Sequence, residues 1–129
     1  MQKVAPLFHQ PLVAIIDDDD SLRDALSGLV RSLGYTVQLS PSADLYIPMM
    51  IQERPDCIVT DIQMPGMDGI AFKHWLDDQG HAIPLIMITA RTEESLLARA
   101  REAQPFCLLR KPFDADQLIG CIDRALAEG

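Results

Sequence analysis

The sequence predicts a doubly wound α/β fold, with five buried parallel strands and helices on both faces of the sheet. Short apolar runs of strand length recur at 12–16, 35–39, 56–60, 83–89 and 106–109. Segments with apolar residues at helical spacing separate them. The chain has 129 residues, a length suited to one domain with a single core. Right-handed crossovers leave few topologies for such a sheet.

Each element has its own signal. Leu12 to Ile16 (LVAII) is continuous and rich in β-branched residues, as in a strand covered on both faces. Four aspartates follow, Asp17 to Asp20. Leu22, Ala25, Leu26, Leu29, Val30 and Leu33 then recur at helical spacing, and Gly34 stands where helices commonly end. Tyr35 to Leu39 reads as the second strand, its alternation weakened by Thr36 and Gln38. Ser42 is placed to cap a helix reaching about Glu53, short or kinked at Pro48. Asp56 to Thr60 is the third strand, with Asp61 at its carboxyl end. Pro65-Gly66 is a turn signal.

The third helix spans Asp68 to Asp78, with Phe72, Trp75 and Leu76 on one face and Gly80 past its end. Ile83 to Thr89 (IPLIMIT) is the fourth strand. Thr92 is the expected cap of a helix that turns Leu96, Leu97, Ala100 and Ala103 inward. Phe106 to Leu109 is the fifth strand, and Lys111-Pro112 breaks the chain after it. Asp114 and Gln117 have the spacing of a capping box. The last helix is expected to bury Ala115, Leu118, Ile119, Ile122, Ala125 and Leu126. Residues 1–10 read as a lead-in, too short and too broken by Pro6 for a signal peptide, and 11–127 as the domain.

Composition narrows the function. Hydrophobic residues make up 48% and charged residues 23%, an ordinary globular balance. The formal net charge of −8 argues against a nucleic-acid grip by this domain, which would need clustered Lys and Arg. The acid favours cations or basic partner surfaces. No apolar run approaches the roughly 18 residues of a membrane span. Cys57, Cys107 and Cys121 lack CxxC spacing and lie in apolar patterns, so they read as reduced core thiols of a cytoplasmic protein. His9, His74 and His81 have no metal-ligand partner at helical or loop spacing. Met49, Met50, Met64 and Met67 read as packing, and Trp75 as a partly buried anchor.

The chemistry gathers at the strand ends. Asp17-Asp18, Asp61, Thr89 and Lys111 follow strands one, three, four and five. In a parallel sheet these ends share one edge, where open α/β sheets place their sites. Two carboxylates about 4 Å apart repel by about 4 kcal/mol at an effective dielectric near 20. A hard divalent ion relieves that repulsion and keeps water in its shell. Lys111 adds a fixed ammonium. Metal and ammonium together suit phosphoryl oxygens, and a carboxylate can accept the phosphoryl group as an acyl phosphate. Asp19 and Asp20 have a plain alternative as a helix-capping turn. Thr89 has one too, as a strand-end hydroxyl bonded to the backbone.

The acid pair after strand one, DIQMPGMDG after strand three, IMITA at strand four and RKPF after strand five resemble the receiver domain of two-component response regulators. The likeness covers roughly residues 10 to 127 and is most similar to the FixJ/NarL (LuxR-type) branch. It implies a flavodoxin-like sheet in the order 2-1-3-4-5. It implies Asp61 as phosphoacceptor from the phosphohistidine of a sensor histidine kinase. Mg2+ (or Mn2+) would be held by Asp18, Asp61 and the backbone carbonyl of Gln63, with Asp17 acting through water. Lys111 would hold a phosphoryl oxygen, with Lys111-Pro112 cis, and Thr89 would turn toward the phosphoryl group. Gln63 and Arg91 would tune the lifetime of the acyl phosphate. Homodimerisation on phosphorylation and a cytoplasmic location also follow from the resemblance. So does a C-terminal helix-turn-helix output absent from this chain.

Two departures stand out. Leu108 occupies the switch position usually held by Phe or Tyr. Gln104-Pro105 replaces a Gly-Ala pair after helix four, which implies a modified surface at helix four and strand five. A stand-alone receiver acting through protein contacts is the alternative output. An aspartyl-phosphate phosphohydrolase lacks its second acid, since Gln63 stands there, and a flavin phosphate would be repelled by the four aspartates. The only catalysis expected is self-phosphorylation and autodephosphorylation.

Overall fold

A computed structural model describes residues 10–128 of the chain. Five strands alternate with five helices: β1 (Leu12–Ile16), α1 (Asp20–Ser32), β2 (Thr36–Ser40), α2 (Ala43–Gln52), β3 (Cys57–Asp61), α3 (Gly69–Asp78), β4 (Leu85–Thr89), α4 (Glu94–Glu102), β5 (Cys107–Arg110) and α5 (Ala115–Glu128). The strands form one parallel sheet in the order β2-β1-β3-β4-β5. This is the doubly wound, flavodoxin-like arrangement read from the sequence. Apart from Gln10, the lead-in lies outside the described residues.

Side-chain alternation along each strand sorts the core into two layers. Val13, Ile15, Cys57, Val59, Ile86 and Ile88 pack with Leu26 and Val30 of α1 and Leu118, Cys121 and Ile122 of α5. Ala14, Ile16, Ile58, Leu85 and Met87 pack with residues of α2, α3 and α4 on the other face. All residues of β1, β3 and β4 are buried. That double coverage explains why these strands read as unbroken apolar runs.

The weak alternation of β2 has a local cause. Gln38 is buried, and its side-chain NH2 donates to the Glu53 carbonyl at 2.9 Å. The Tyr46 hydroxyl donates to Gln38 Oε1 at 2.6 Å, so the polar residue ties β2 to α2. α2 continues through Pro48 as a ten-residue helix, capped by Ser42. β4 begins at Leu85 rather than Ile83, after Pro84, which has no N–H to donate to a ladder.

Two helix expectations are corrected. Thr92 does not cap α4: Glu93 holds the N-cap position and makes no side-chain cap bond. Its carboxylate turns back to Arg91 Nε, at 2.8 and 2.9 Å. Ala115 is exposed at the first position of α5, and Cys121 takes the inward place. The capping box there is half made, with Gln117 Oε1 accepting from Asp114 N at 2.9 Å. Trp75 is partly buried and stacks on Phe72. Met50 and Met64 are buried, whereas Met49 is 36% exposed.

Candidate active site at the carboxyl edge of the sheet

The rows that build the α1/α5 core also build the site. Asp17 continues the Val13–Ile15 row, Asp61 the Cys57–Val59 row and Lys111 the Cys107–Leu109 row. Side chains of one parity on neighbouring parallel strands meet at one edge. Lys111 Nζ accordingly stands 3.7 Å from Asp61 Oδ2 and 3.9 Å from Asp17 Oδ2. Carboxylate oxygens of Asp17, Asp18 and Asp61 lie within 4.8 Å of one another. Asp17 and Asp61 are buried and Asp18 is exposed.

The aspartate run divides its labour. Asp17 Oδ1 accepts from Asp19 N at 2.9 Å. Asp19 caps α1, accepting from Leu22 N at 3.1 Å. Asp20 pairs with Arg23, whose other guanidinium nitrogen donates to the Asp17 carbonyl at 2.6 Å. Arg23 therefore holds the backbone from which Asp17 and Asp18 project, a role that its ordinary i,i+3 spacing did not reveal.

Burial raises the Asp61 carboxyl above its usual range. Lys111 and the Gln63 N–H oppose this, while Asp17 and Asp18 add to it. Asp17 is raised as well, again chiefly by burial, against the Asp19 N–H and Lys111. One ammonium does not compensate this much buried acid. Asp17 Oδ2 is buried and accepts no hydrogen bond, because Lys111 stands beyond hydrogen-bonding reach. A hard divalent ion fits this donor set: clustered oxygens, no thiol or imidazole, and a buried carboxylate oxygen left without a donor.

The loop after β3 is held from two sides. A Cβ on Gly69 would lie 2.6 Å from the Asp61 carbonyl oxygen, so only glycine lets α3 start this close to the end of β3. Gly69 N donates to the Ile62 carbonyl at 2.8 Å. On the outer side Asp44 of α2 accepts from Met67 N at 3.2 Å, beside Gly66, whose φ is +76°. Asp44 gave no sequence signal; Asp68-Gly69 signalled only a helix start. Gln63 lines a cavity with Asp18 and Asp68. Its N–H reaches Asp61 Oδ1 at 3.4 Å, a long contact.

Thr89 is buried, and its hydroxyl oxygen accepts from Arg91 N at 3.0 Å, the backbone-bonded arrangement weighed from sequence. It follows the Leu85–Met87 row, of opposite parity to Asp61. The Arg91 side chain donates to Gln63 Oε1 at 2.7 Å, joining the loops after β3 and β4. The Lys111–Pro112 peptide is cis. Leu108 packs into the α2/α3/α4 core, whereas Phe106 packs on the opposite face. Phe106 therefore does not stand in for the aromatic that Leu108 replaces. Gln104 has a φ of +56°, the left-handed conformation a glycine would take without strain.

The family model of the response regulator receiver domain matches residues 13–123. The chain belongs to this family. Among curated relatives, response regulator protein TodT of Pseudomonas putida is 32% identical over 115 residues, which are 89% of this chain and 51% of TodT. DNA-binding transcriptional regulator NtrC of Salmonella typhimurium is 29% identical over 120 residues, 93% of this chain and 26% of NtrC. Among solved structures, the crystal structure of FixJ-N superposes with a TM-score of 0.83 at 28% identity, covering 92% of this chain and 95% of that one. The receiver thus spans about half of TodT and a quarter of NtrC. No helix among its described residues is long and apolar enough to cross a membrane.

Proposed function

We propose that this receiver accepts a phosphoryl group on Asp61 from the phosphohistidine of a sensor histidine kinase, in the cytoplasm, and thereby switches an output. The observation that carries the reading is the placement of Lys111 Nζ between the buried carboxylates of Asp61 and Asp17, 3.7 and 3.9 Å away. Asp18, Asp61 and the Gln63 carbonyl would hold Mg2+ or Mn2+, with Asp17 acting through water. Bound there, the ion supplies charge neutralisation at the phosphoryl oxygens.

Asp61 Oδ2 attacks phosphorus, and the P–O bond forms. The P–N bond to the donor imidazole breaks with its electron pair left on nitrogen. Lys111 neutralises a phosphoryl oxygen as charge shifts during transfer. On phosphorylation Thr89 would exchange its bond from Arg91 N for a donation to the phosphoryl group. Because Arg91 N would be released, that exchange moves the loop after β4. Gln63 and Arg91 flank the route of an attacking water and set the lifetime of the product. No external metabolite is turned over.

For the output, we propose transcription control through a C-terminal DNA-binding domain of the FixJ/NarL kind, with homodimerisation on phosphorylation. The likeness to a DNA-binding transcriptional regulator supports the transcriptional output. The domain itself, at a net charge of −8, is not the DNA-binding surface.

The test is incubation with acetyl phosphate and Mg2+, read by intact mass. One phosphoryl adduct is expected, labile to hydroxylamine and missing in Asp61→Asn and without divalent ion. An adduct that persists in Asp61→Asn would overturn the assignment.

A further inference from the structure

Away from the phosphoryl site, the lower edge of the α1/α5 core brings two thiols under one guanidinium. Arg124 Nη2 lies 3.4 Å from Cys107 Sγ and 3.6 Å from Cys121 Sγ. Cys107 opens β5, the edge strand of the sheet, and is half-buried; Cys121 sits beneath it on the inward face of α5. Both sulfurs thus lie within 3.6 Å of one guanidinium nitrogen. Arg124 is exposed and covers the pair from the solvent side. Nothing in the phosphoryl chemistry uses these three residues.

We propose that Cys107 and Cys121 form a peroxide-sensitive dithiol, with Arg124 as its positioning residue. Three features assign the roles. Cys107 is the more accessible of the two sulfurs, so a peroxide reaches it first, and it has the Arg124 guanidinium 3.4 Å away. Cys121 is buried, and burial pushes its thiol up to about 11, with Cys107 adding to the rise and Arg124 opposing it. It is therefore the resolving thiol. Cys57 is fully buried on β3, its thiol pushed up to about 12 by burial, and it takes no part.

The Cys107 thiolate attacks the terminal oxygen of a hydroperoxide. The S–O bond forms, the O–O bond breaks, and the leaving oxygen departs with a proton as an alcohol, or as water from hydrogen peroxide. Cys107 is then a sulfenic acid. The Cys121 sulfur attacks the sulfenic sulfur, the S–S bond forms, and hydroxide leaves with the Cys121 proton as water. Two thiols lose two electrons and one hydroperoxide is reduced. The link ties the edge strand β5 to α5, so β5 can no longer separate from that helix. A thiol reductant restores the resting state.

The experiment exposes the reduced, desalted protein to a few equivalents of hydrogen peroxide and unfolds it in N-ethylmaleimide. Tryptic cleavage places the two cysteines in separate peptides, 102–110 and 111–124, with Cys57 in a third. One linked 102–110/111–124 species is expected, with Cys57 fully alkylated. Arg124→Gln should slow linkage about tenfold, and Arg124→Lys should recover part of the rate. Asp61→Asn should link at the wild-type rate, which separates this result from the phosphoryl reading. Peptide 102–110 carried to sulfinic acid without a link, a link through Cys57, or a dimer through Cys107 would each overturn the proposal. Linkage in Arg124→Gln at the wild-type rate, with only a lowered melting temperature, would overturn the role of Arg124. Cys121→Ala, which leaves a small cavity instead of a buried hydroxyl, should stop at the sulfenic acid, trapped by dimedone. No dimedone adduct at Cys107 would likewise count against it.

Discussion

The Arg91 guanidinium donates to the Gln63 side-chain oxygen at 2.7 Å, closing a bridge between the loops that follow β3 and β4. Arg91 is simultaneously paired with Glu93, so its position is fixed from both ends. The Gln63 end of the bridge is tied to the site through its backbone, whose N–H reaches Asp61 Oδ1 at 3.4 Å. Gln63→Ala and Arg91→Ala should each change the decay rate of phosphorylated protein several-fold while leaving Mg2+ affinity within about twofold. Because both mutations break one contact, the double mutant should resemble the singles. Additive effects, or an unchanged decay, would show that the bridge does not govern water access.

The charge imbalance around Asp17 gives a pH test in metal-free buffer. Burial raises the Asp17 and Asp61 carboxyls in the fold. The folded state therefore holds protons that the unfolded chain releases from near pH 3.9 upward. With more protons on the native state, stability falls as pH rises through that window and stays lowered at neutrality. Asp17→Asn should raise the urea midpoint in EDTA at pH 7, and the gain should shrink as pH drops toward 4. Mg2+ at 100 times its dissociation constant should stabilise wild type by about 2.7 kcal/mol. Asp17→Asn should gain less. A pH-independent difference between the two proteins would refute the account.

Gly69 tests how tightly the site depends on close backbone approach. A methyl group there meets backbone, at 2.6 Å from the Asp61 carbonyl oxygen and 2.9 Å from Ile62 Cα, rather than a movable side-chain tip. Gly69→Ala should cost about 1–3 kcal/mol of stability and lower the rate of acetyl phosphate labelling, since Asp61 must shift with its carbonyl. Urea titration and a labelling time course read the two effects. Wild-type values for both would mean that the chain accommodates the methyl elsewhere.

The left-handed Gln104 offers a gain. Its φ of +56° places Cβ in the region that costs an L-residue about 1–2 kcal/mol. Glycine loses more entropy on folding, by roughly 0.5–1 kcal/mol. Gln104→Gly should thus stabilise by about 0.5–1 kcal/mol, seen as a rise in melting temperature of a few degrees. A drop would show that contacts of the Gln104 side chain outweigh the relief.

What the sequence disclosed and what it withheld have the same origin. Apolar runs are local, so LVAII and IPLIMIT revealed the strands, and the parity of the residues that follow carried Asp17, Asp61 and Lys111 to one edge. Contacts between distant segments left no local trace. The grip of Asp44 on Met67 spans α2 and the β3–α3 loop, and the Cys107–Arg124–Cys121 cluster spans β5 and α5. Glu93 misled because its carboxylate answers Arg91 instead of the helix it precedes, which left Thr92 as the apparent cap. A residue before proline is steered away from the helical region, and at the end of α4 Gln104 takes a positive φ.

Leu108 sets the last expectation. It sits on β5 opposite Met87 and packs into the α2/α3/α4 core. A ring at this position can swing between solvent and interior, whereas a packed leucine has no polar edge to gain by leaving. A conformational signal from Thr89 must then travel through the Arg91 loop into α4, since Arg91 N is the group the Thr89 hydroxyl holds. On addition of beryllium fluoride with Mg2+, NMR shifts should be large at Thr89, Arg91 and the first turn of α4 and small at the Leu108 methyls. Leu108→Tyr should restore large shifts at 108 if the ring finds the room that α4 leaves. Methyl shifts at Leu108 in the wild-type protein as large as those at Thr89 would show that β5 still carries the switch without its aromatic.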